Sequence, residues 1–212
     1  MAADIFVNYH DWLDRQVMPK GQKATLIAAM TSFSEQGFDG TTTNDIAKHA
    51  QISQATIFKY YHTKQDLLVA VVKPVMANLF PEYRDQFFAG LAQYTTLETM
   101  IRYIVTDRYH FIMANAEAVK IIAVEMMISP EMRQLLKQLF LTSDNNFLGQ
   151  LVLLFRRTNE VRSDIDAADI LRLLAGQLVG YIIQMKYAPG LVLAETQALP
   201  KIIDQIVRAI RK

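Results

Sequence analysis

The residues best suited to chemistry lie close together, between positions 53 and 60. Gln54, Ala55 and Thr56 follow one another, and Lys59 and Tyr60 come one helical turn later. A glutamine can form paired hydrogen bonds with adenine, and the methyl groups of alanine and threonine can contact the methyl group of thymine. Lysine and tyrosine side chains can reach a phosphate. This combination of residue types is typical of a surface that contacts both the bases and the backbone of DNA.

Capping residues predict the elements that hold these side chains. Thr42 precedes Asp45 by three residues, which is the spacing of a helix N-cap reinforced by an acid, so a short helix is predicted over 43–50. Ser53 is a good N-cap for a second short helix over 54–61. Two short helices joined by a tight turn form a helix-turn-helix.

The second short helix has one apolar face and one polar face. Ile57 and Tyr61 share a face that is predicted to be buried, which leaves the residues named above pointing outward. A packed helix is predicted before this pair, over 20–36. Thr63 caps a following helix over 64–79, where Lys64 and free backbone N–H groups suit a phosphate.

An ordered set of residues in this region resembles the DNA-binding domain of the tetracycline-repressor (TetR) family. The set spans nearly all of 20–70 and comprises Phe33, Gly37, Phe38, Thr41, Thr42, Ile46, Ala47, Ile52, Ser53, Thr56, Ile57, Phe58, Tyr61, Thr63, Lys64, Leu67 and Leu68. The resemblance implies a homodimer of all-helical subunits. Each subunit would have a three-helix DNA-binding domain, a connecting helix and a larger C-terminal domain that binds a small molecule and dimerises.

The residues expected to contact DNA follow from the chemistry and from this resemblance. They are Thr42, Thr43, Lys48, Ser53, Gln54, Ala55, Thr56, Lys59, Tyr60 and Lys64. Thr42 and Ser53 serve first as helix caps, and Lys48 is equally consistent with a merely solvated lysine. The sequence departs from the family at Gln51, where glycine is usual, and at Gln65, where an acid is common.

The rest of the chain predicts an all-α protein with a second helical bundle. Apolar residues recur at spacings of three and four, and further helices are predicted over 96–113, 115–128, 131–157, 166–187 and 200–211. Helix lengths increase near residue 75. The predicted domains are an N-terminal extension, possibly helical, over 1–19, a DNA-binding domain over 20–70 and a ligand-binding and dimerisation domain over 71–212. Pro74 predicts a kink or an end in the connecting helix.

Residues that line a ligand cavity are harder to predict, because methionines and aromatic residues at helical spacing are usually core. Polar groups within apolar helices are better candidates, since a buried amide or phenol needs a partner. Gln177 is the first choice, and the complete set is Tyr109, His110, Met113, Met126, Phe147, Gln177 and Tyr181.

Two helices near the C-terminus are candidates for the dimer contact. Gly176 and Gly180 lie four residues apart on one helix face, and an isoleucine stripe follows Pro200. The predicted dimer residues are Leu174, Leu178, Ile182, Ile203, Ile206 and Ile210. A monomer that packs the same stripe internally is the alternative.

Composition argues against several other classes of protein. The chain has 212 residues with 22 basic and 21 acidic side chains and no cysteine, so thiol catalysis, cysteine-ligated metals and disulfides are excluded. Neither a signal peptide nor a membrane span is predicted, and a cytoplasmic location follows. No catalytic set, metal site or cofactor motif is found. Asp107 and His110 have the spacing of half a di-iron element, but no second copy occurs.

The sequence therefore predicts a DNA-binding transcriptional regulator, specifically a repressor released from its operator by a small, largely apolar effector. Its partners would be double-stranded operator DNA, the effector and a second copy of the chain. The alternative is a helical small-molecule sensor or scaffold that does not use DNA. A nearly neutral DNA-binding domain, with five lysines and four acids over 20–72, keeps that alternative open.

Overall fold

The computed structural model describes residues 5–75, 80–130, 132–134, 137 and 147–212. Within these residues the regular elements are helices, apart from one isolated β-bridge between Val161 and Arg211, so the all-α prediction is confirmed. Among the helices described, not one combines the length and the apolar character that a membrane span requires.

The helices alternate with short connections along the chain. They are α1 (Ile5–Asp14), α2 (Lys20–Gly40), α3 (Thr43–His49), α4 (Gln54–Tyr60), α5 (Lys64–Pro74), α6 (Phe80–Leu91), α7 (Leu97–Ala114), α8 (Ala116–Ile128), α9 (Phe147–Arg157), α10 (Ala167–Tyr187) and α11 (Glu195–Ile210). A turn of 3-10 helix at Pro189–Leu191 separates α10 from α11.

Contacts divide the chain into two units. The first unit comprises Met1–Tyr83 and Ile112–Leu139, and the second comprises Arg84–Phe111 and Phe140–Lys212. Helix α8 therefore packs with the N-terminal helices rather than with the later ones. The predicted functional boundary between 70 and 71 does not coincide with this division, and it stays a prediction about function.

The first unit is built around α2, which packs against α3, α4, α5 and α8. Its most buried side chains include Phe33, Ile46, Ile57 and Leu67. Helix α1 belongs to this unit because Tyr9 and Leu13 are fully buried, so the segment over 1–19 contributes side chains to the core.

The second unit has one apolar core, to which α6, α7, α9, α10 and α11 contribute side chains. Ile101, Phe155 and Ile206 are fully buried there. Glu160 links the start of α7 to the end of α11, since its carboxylate accepts hydrogen bonds from the Leu97 backbone N–H at 2.9 Å and from Arg211 at 3.0 Å.

Proline placement explains where the predicted helices differ from those observed. Helix α6 was not predicted because Pro81 looks like a break, but a proline is tolerated in the first turn of a helix. Helix α11 begins at Glu195 rather than at 200, with the exposed Pro200 inside it. Helix α5 ends at Pro74. Twelve residues of the predicted 131–157 helix, namely 131, 135, 136 and 138–146, and residues 76–79 of the connecting helix lie outside the described residues.

Two residues adopt positive φ at the ends of the first helices. Gly37 has φ 76° and kinks α2 directly after residue 36, where the predicted helix ends. Gln51 has φ 54° and follows the C-cap Ala50 of α3. The Gln51 N–H bonds to the Lys48 carbonyl and the Ile52 N–H to the Ala47 carbonyl, which is a Schellman motif with glutamine where glycine is favoured.

Replacing Gln51 with glycine is expected to stabilise the protein. A left-handed conformation costs an L-residue about 1–2 kcal/mol, and the substitution by glycine removes this cost. Glycine, in turn, loses about 0.5–1 kcal/mol more in backbone entropy on folding, so part of the gain is cancelled. The free energy of unfolding should rise by about 0.5 kcal/mol in urea denaturation. The control Lys48→Gly, inside α3, should lower it by about 1 kcal/mol. A loss of stability in Gln51→Gly would contradict this account.

Candidate nucleic-acid interface

A reciprocal cap fixes the start of α3. The Asp45 backbone N–H donates to Thr42 Oγ1 at 3.2 Å, and the Thr42 N–H donates to Asp45 Oδ2 at 3.0 Å. The hydrogen bond from the Thr42 side chain is the main cause that lowers the pKa of Asp45 below its ordinary value. Both groups are therefore engaged in starting the helix.

A one-way cap from Ser53 fixes the start of α4. The Thr56 N–H donates to Ser53 Oγ at 3.2 Å, and the hydroxyl groups of these two residues lie 2.9 Å apart. Ile57 is buried on one side of the helix, while Gln54, Ala55 and Lys59 are exposed on the other. Tyr61 is buried as predicted, whereas Thr56 and Tyr60, which were predicted to point outward, are half-buried.

A side-chain hydrogen bond joins the exposed parts of α3 and α4. Gln54 Nε2 donates to Thr43 Oγ1 at 2.6 Å, so these two candidate residues lie together at the helix-turn-helix. Lys59 Nζ lies 5.6 Å from the centre of the Tyr60 ring. Lys48 is exposed in the last turn of α3. Polar and cationic groups of both helices thus face solvent.

The first turn of α2 lies against α4, which sequence reasoning missed. A Cβ atom added to Gly21 would be 3.0 Å from the Thr56 methyl carbon, which is tighter than ordinary van der Waals contact, so glycine favours this close approach. Gln22 Nε2 also donates to Tyr61 Oη at 3.4 Å. The glycine at position 21, in the first turn of a helix, was the one sequence signal that could have indicated this close contact.

Lys64 has a structural role in addition to its candidate role as a phosphate contact. Its ammonium group donates to the carbonyl groups of Phe38 at 2.7 Å and Thr41 at 3.0 Å, and it lies 4.2 Å from the centre of the Phe38 ring. Two of its three N–H donors therefore hold the start of α5 to the end of α2. One donor is left to meet a phosphate.

Two of the candidate effector residues form a buried pair in the second unit. The rings of Tyr109 and Tyr181 are 5.9 Å apart, and burial raises the pKa of both phenols. Tyr109 Oη lies 3.9 Å from Met185 Sδ, and Tyr181 Oη donates to the Leu193 carbonyl at 3.2 Å. Both hydroxyl groups have partners inside the protein.

The remaining effector candidates are dispersed. His110 is exposed and lies 3.1 Å from the carboxylate of Glu195, and Phe147 packs against Phe88 with a 5.0 Å ring separation. Gln177 lines a surface hollow of about 320 Å³ between α10 and α11, which it shares with Tyr181. Met113 and Met126 lie in the first unit and are exposed. The structure does not bring the predicted set together into one cavity.

Five of the six predicted dimer residues are buried in the core of their own chain. Ile206 and Ile210 have no exposed surface, and Leu174, Leu178 and Ile203 are at most 6% exposed. Such side chains cannot contact a second subunit, which corrects their assignment to the interface. Ile182 is half-buried. The isoleucine stripe of α11 faces inward because α10 packs against it in the same chain.

The apolar surface that α10 leaves exposed has a different set of residues. These residues follow one another at intervals of four along the helix and are Leu171, Ala175, Val179, Ile183 and Tyr187. We call them the α10 stripe. Beside it, nothing lies within 4 Å of a Cβ atom added to Gly176 or Gly180, so the backbone there is open to a close neighbour.

Comparison with known proteins connects this geometry to one family. Residues 26–71 match the family model described as bacterial regulatory proteins, tetR family. The repressor KstR2 of Rhodococcus jostii is 31% identical over 102 residues, which are 48% of each chain. The IcaR regulator of Staphylococcus epidermidis is 44% identical over 39 residues, which are 18% of this chain and 21% of IcaR. The chain thus spans about half or less of the length of these curated relatives.

A solved structure extends the likeness of fold to most of the chain. The regulator FadR from Bacillus subtilis, in complex with stearoyl-CoA, superposes with a TM-score of 0.59 at 16% identity and covers 87% of this chain and 95% of FadR. At this level of identity, the likeness establishes the fold.

Proposed function

We propose that this chain, whose residues 26–71 match the family model of tetR bacterial regulatory proteins, is a transcriptional repressor that binds operator DNA as a homodimer. The observation that carries the proposal is the pair α3–α4. Both helices are capped, α4 buries Ile57, and its opposite face presents Gln54, Ala55 and Lys59 to solvent. A recognition helix needs this arrangement, because its exposed side chains must reach base edges in the major groove.

The ten candidate residues divide into three roles under this proposal. Gln54, Ala55 and Thr56 read bases, while Lys48, Lys59, Tyr60 and Lys64 contact phosphates. Thr42, Thr43 and Ser53 hold the two helices in place and lie near the backbone of the duplex. The cytoplasm, where bacterial DNA lies, is the location that this function requires.

Homodimerisation through the α10 stripe completes the proposal. An exposed apolar surface at helical spacing, next to two open glycines, suits close packing against the same surface of a second subunit. Two recognition helices related by a two-fold axis would bind the two halves of a pseudo-palindromic operator.

An effector that binds the C-terminal helices would release the operator. FadR, which shares the fold, is known in complex with stearoyl-CoA. The second unit has an apolar core with aromatic residues at Phe87, Phe88 and Phe147. A small, largely apolar effector is the class that we propose.

The test is binding of the purified protein to the DNA that flanks its own gene. Fluorescence anisotropy across a salt series should show tight binding that falls with salt, and an unrelated duplex of equal length should bind at least about a thousandfold more weakly. Equal affinity for both duplexes would refute the repressor at that site. It would favour the sensor that does not use DNA, which the nearly neutral charge of 20–72 suggests.

We predict that Arg15 and Lys20 supply further phosphate contacts, in addition to those proposed for the helix-turn-helix and for Lys64. Both are exposed, and Lys20 begins the turn of α2 that lies against Thr56 and Tyr60. Each phosphate contact contributes about 0.9 to the slope of log affinity against log salt. Arg15→Gln and Lys20→Gln should each lower the slope by about that amount, whereas Lys73→Gln, exposed at the far end of α5, should leave it unchanged. Unchanged slopes in the first two variants would exclude these contacts.

A further inference from the structure

A buried carboxyl group lies where α8 meets the start of α5. Glu125 is 1% exposed. Its Oε2 atom accepts a hydrogen bond from Gln65 Nε2 at 3.0 Å, across sixty residues of sequence. Its Oε1 atom is buried and has no hydrogen-bond partner among the residues described. The proposed DNA contacts do not explain this pair.

An apolar seam holds α8 in this place. Ala118, Ile121 and Ile122 of α8 line the seam together with side chains of α2, of α5 and of the C-cap of α5, which are Met30, Phe33, Leu68, Val71, Val72 and Val75. The free space in the seam is only about 20 Å³, close to the size of a single water. Helix α8 is therefore closely packed on the helices that carry the recognition helix.

Gln65 connects this packing to α4. It is the second residue of α5, and only Tyr61, His62 and Thr63 separate α5 from the end of α4. Its neighbour Lys64 binds the end of α2, as described above. The first turn of α5 is thus held by Lys64 on one side and by Glu125 on the other.

We propose that Gln65 and Glu125 are positioning residues, through which α8 sets the orientation of the recognition helix α4. A buried carboxyl oxygen without a hydrogen-bond partner raises the free energy of the folded state, because the oxygen has lost its hydration. The pair therefore persists only while the apolar seam holds α8 in place and keeps water out. A displacement of α8 that admits water relieves this cost and frees the first turn of α5. The functional part of this inference rests on the proposed binding of DNA.

The proposal depends on residue 65 being a glutamine, which can donate a hydrogen bond to Glu125. An acid at this position, which is common in the family, would place a second carboxyl group about 3 Å from Glu125. Glutamine donates instead. The pair can also be reversed, because the combined change Gln65→Glu with Glu125→Gln again gives one amide and one carboxyl group.

The experiment compares wild-type protein with Gln65→Glu, Glu125→Gln and the double variant. Hydrogen exchange of the α4 amides should be about tenfold faster or more in Gln65→Glu and should return to near the wild-type rate in the double variant. Operator affinity should follow the same order. The control Gln36→Glu adds the same charge on an exposed part of α2 and should change neither. Circular dichroism establishes that each variant is folded.

Two results would overturn the inference. One is wild-type exchange of the α4 amides in Gln65→Glu, and the other is a double variant that exchanges as fast as Gln65→Glu. Exchange is measured without DNA, so it decides the role of the pair even if the wild-type protein prefers no operator. A wild-type protein that prefers no operator would refute the proposed function but not the role of the Gln65–Glu125 pair. Changed exchange with unchanged operator affinity would refute the link between α8 and DNA binding.

Discussion

Ala55→Glu abolishes operator binding while the protein stays folded: this is the largest effect expected from a single substitution in α4. Ala55 is exposed in the first turn of that helix, between the proposed base-reading residues Gln54 and Thr56. A carboxylate there would face the negative charge of the duplex, and such like-charge contacts cost several kcal/mol. Affinity should fall by about a hundredfold or more.

The fold should tolerate this change well. Glutamate is a good helix former, and an acid in the first turn interacts favourably with the helix dipole. The matched control is Ala168→Glu, since Ala168 is also the exposed second residue of a capped helix, α10. Anisotropy and thermal melting should show lost binding only in Ala55→Glu. Operator binding by Ala55→Glu at wild-type affinity would exclude α4 as the recognition helix.

The second large effect is expected from Val179→Glu in the α10 stripe. Val179 is 49% exposed in a single chain and would become buried in the proposed dimer. Burying two symmetry-related carboxylates without partners is strongly unfavourable, so the variant should sediment as a monomer. Operator affinity should also fall by about a hundredfold or more, because two linked half-site contacts become one.

The control for this variant is Leu153→Glu. Leu153 is 63% exposed on α9 and lies outside the α10 stripe, so the control introduces the same charge at an apolar residue that is more exposed than Val179. Analytical ultracentrifugation should show a dimer for Leu153→Glu and for wild-type protein. A Val179→Glu variant that remains a dimer would exclude the α10 stripe as the interface.

The helix-turn-helix could be predicted from the sequence because its signals are local. The caps at Thr42, Ser53 and Thr63 each act within three residues, and the structure shows all three. The apolar face of α4 is also set by spacing within one helix. Such patterns need no knowledge of distant parts of the chain.

Proline signals were less reliable because their meaning depends on context. Pro81 and Pro200 look alike as breaks in the sequence, but one lies in the first turn of α6 and the other inside α11. A missing N–H matters little in a first turn, where it would have no helical partner. The sequence does not show how the neighbouring turns compensate at Pro200.

Tertiary structure alone decided which apolar faces are internal. Periodicity identifies both the isoleucine stripe of α11 and the α10 stripe as apolar, but it does not tell burial within one chain from an exposed contact surface. Packing of α10 on α11 buries Ile203, Ile206 and Ile210 and leaves the α10 stripe exposed.

Local sequence thus determined the helix-turn-helix, the helical class and the outward face of α4, since caps and periodicity act over a few residues. The contacts between distant segments came only from the fold. Gly21 against Thr56 and Gln65 against Glu125 depend on how whole helices pack, and no pattern within either segment specifies its partner. Packing between helices is a property of complementary shapes, and those shapes exist only once the chain has folded.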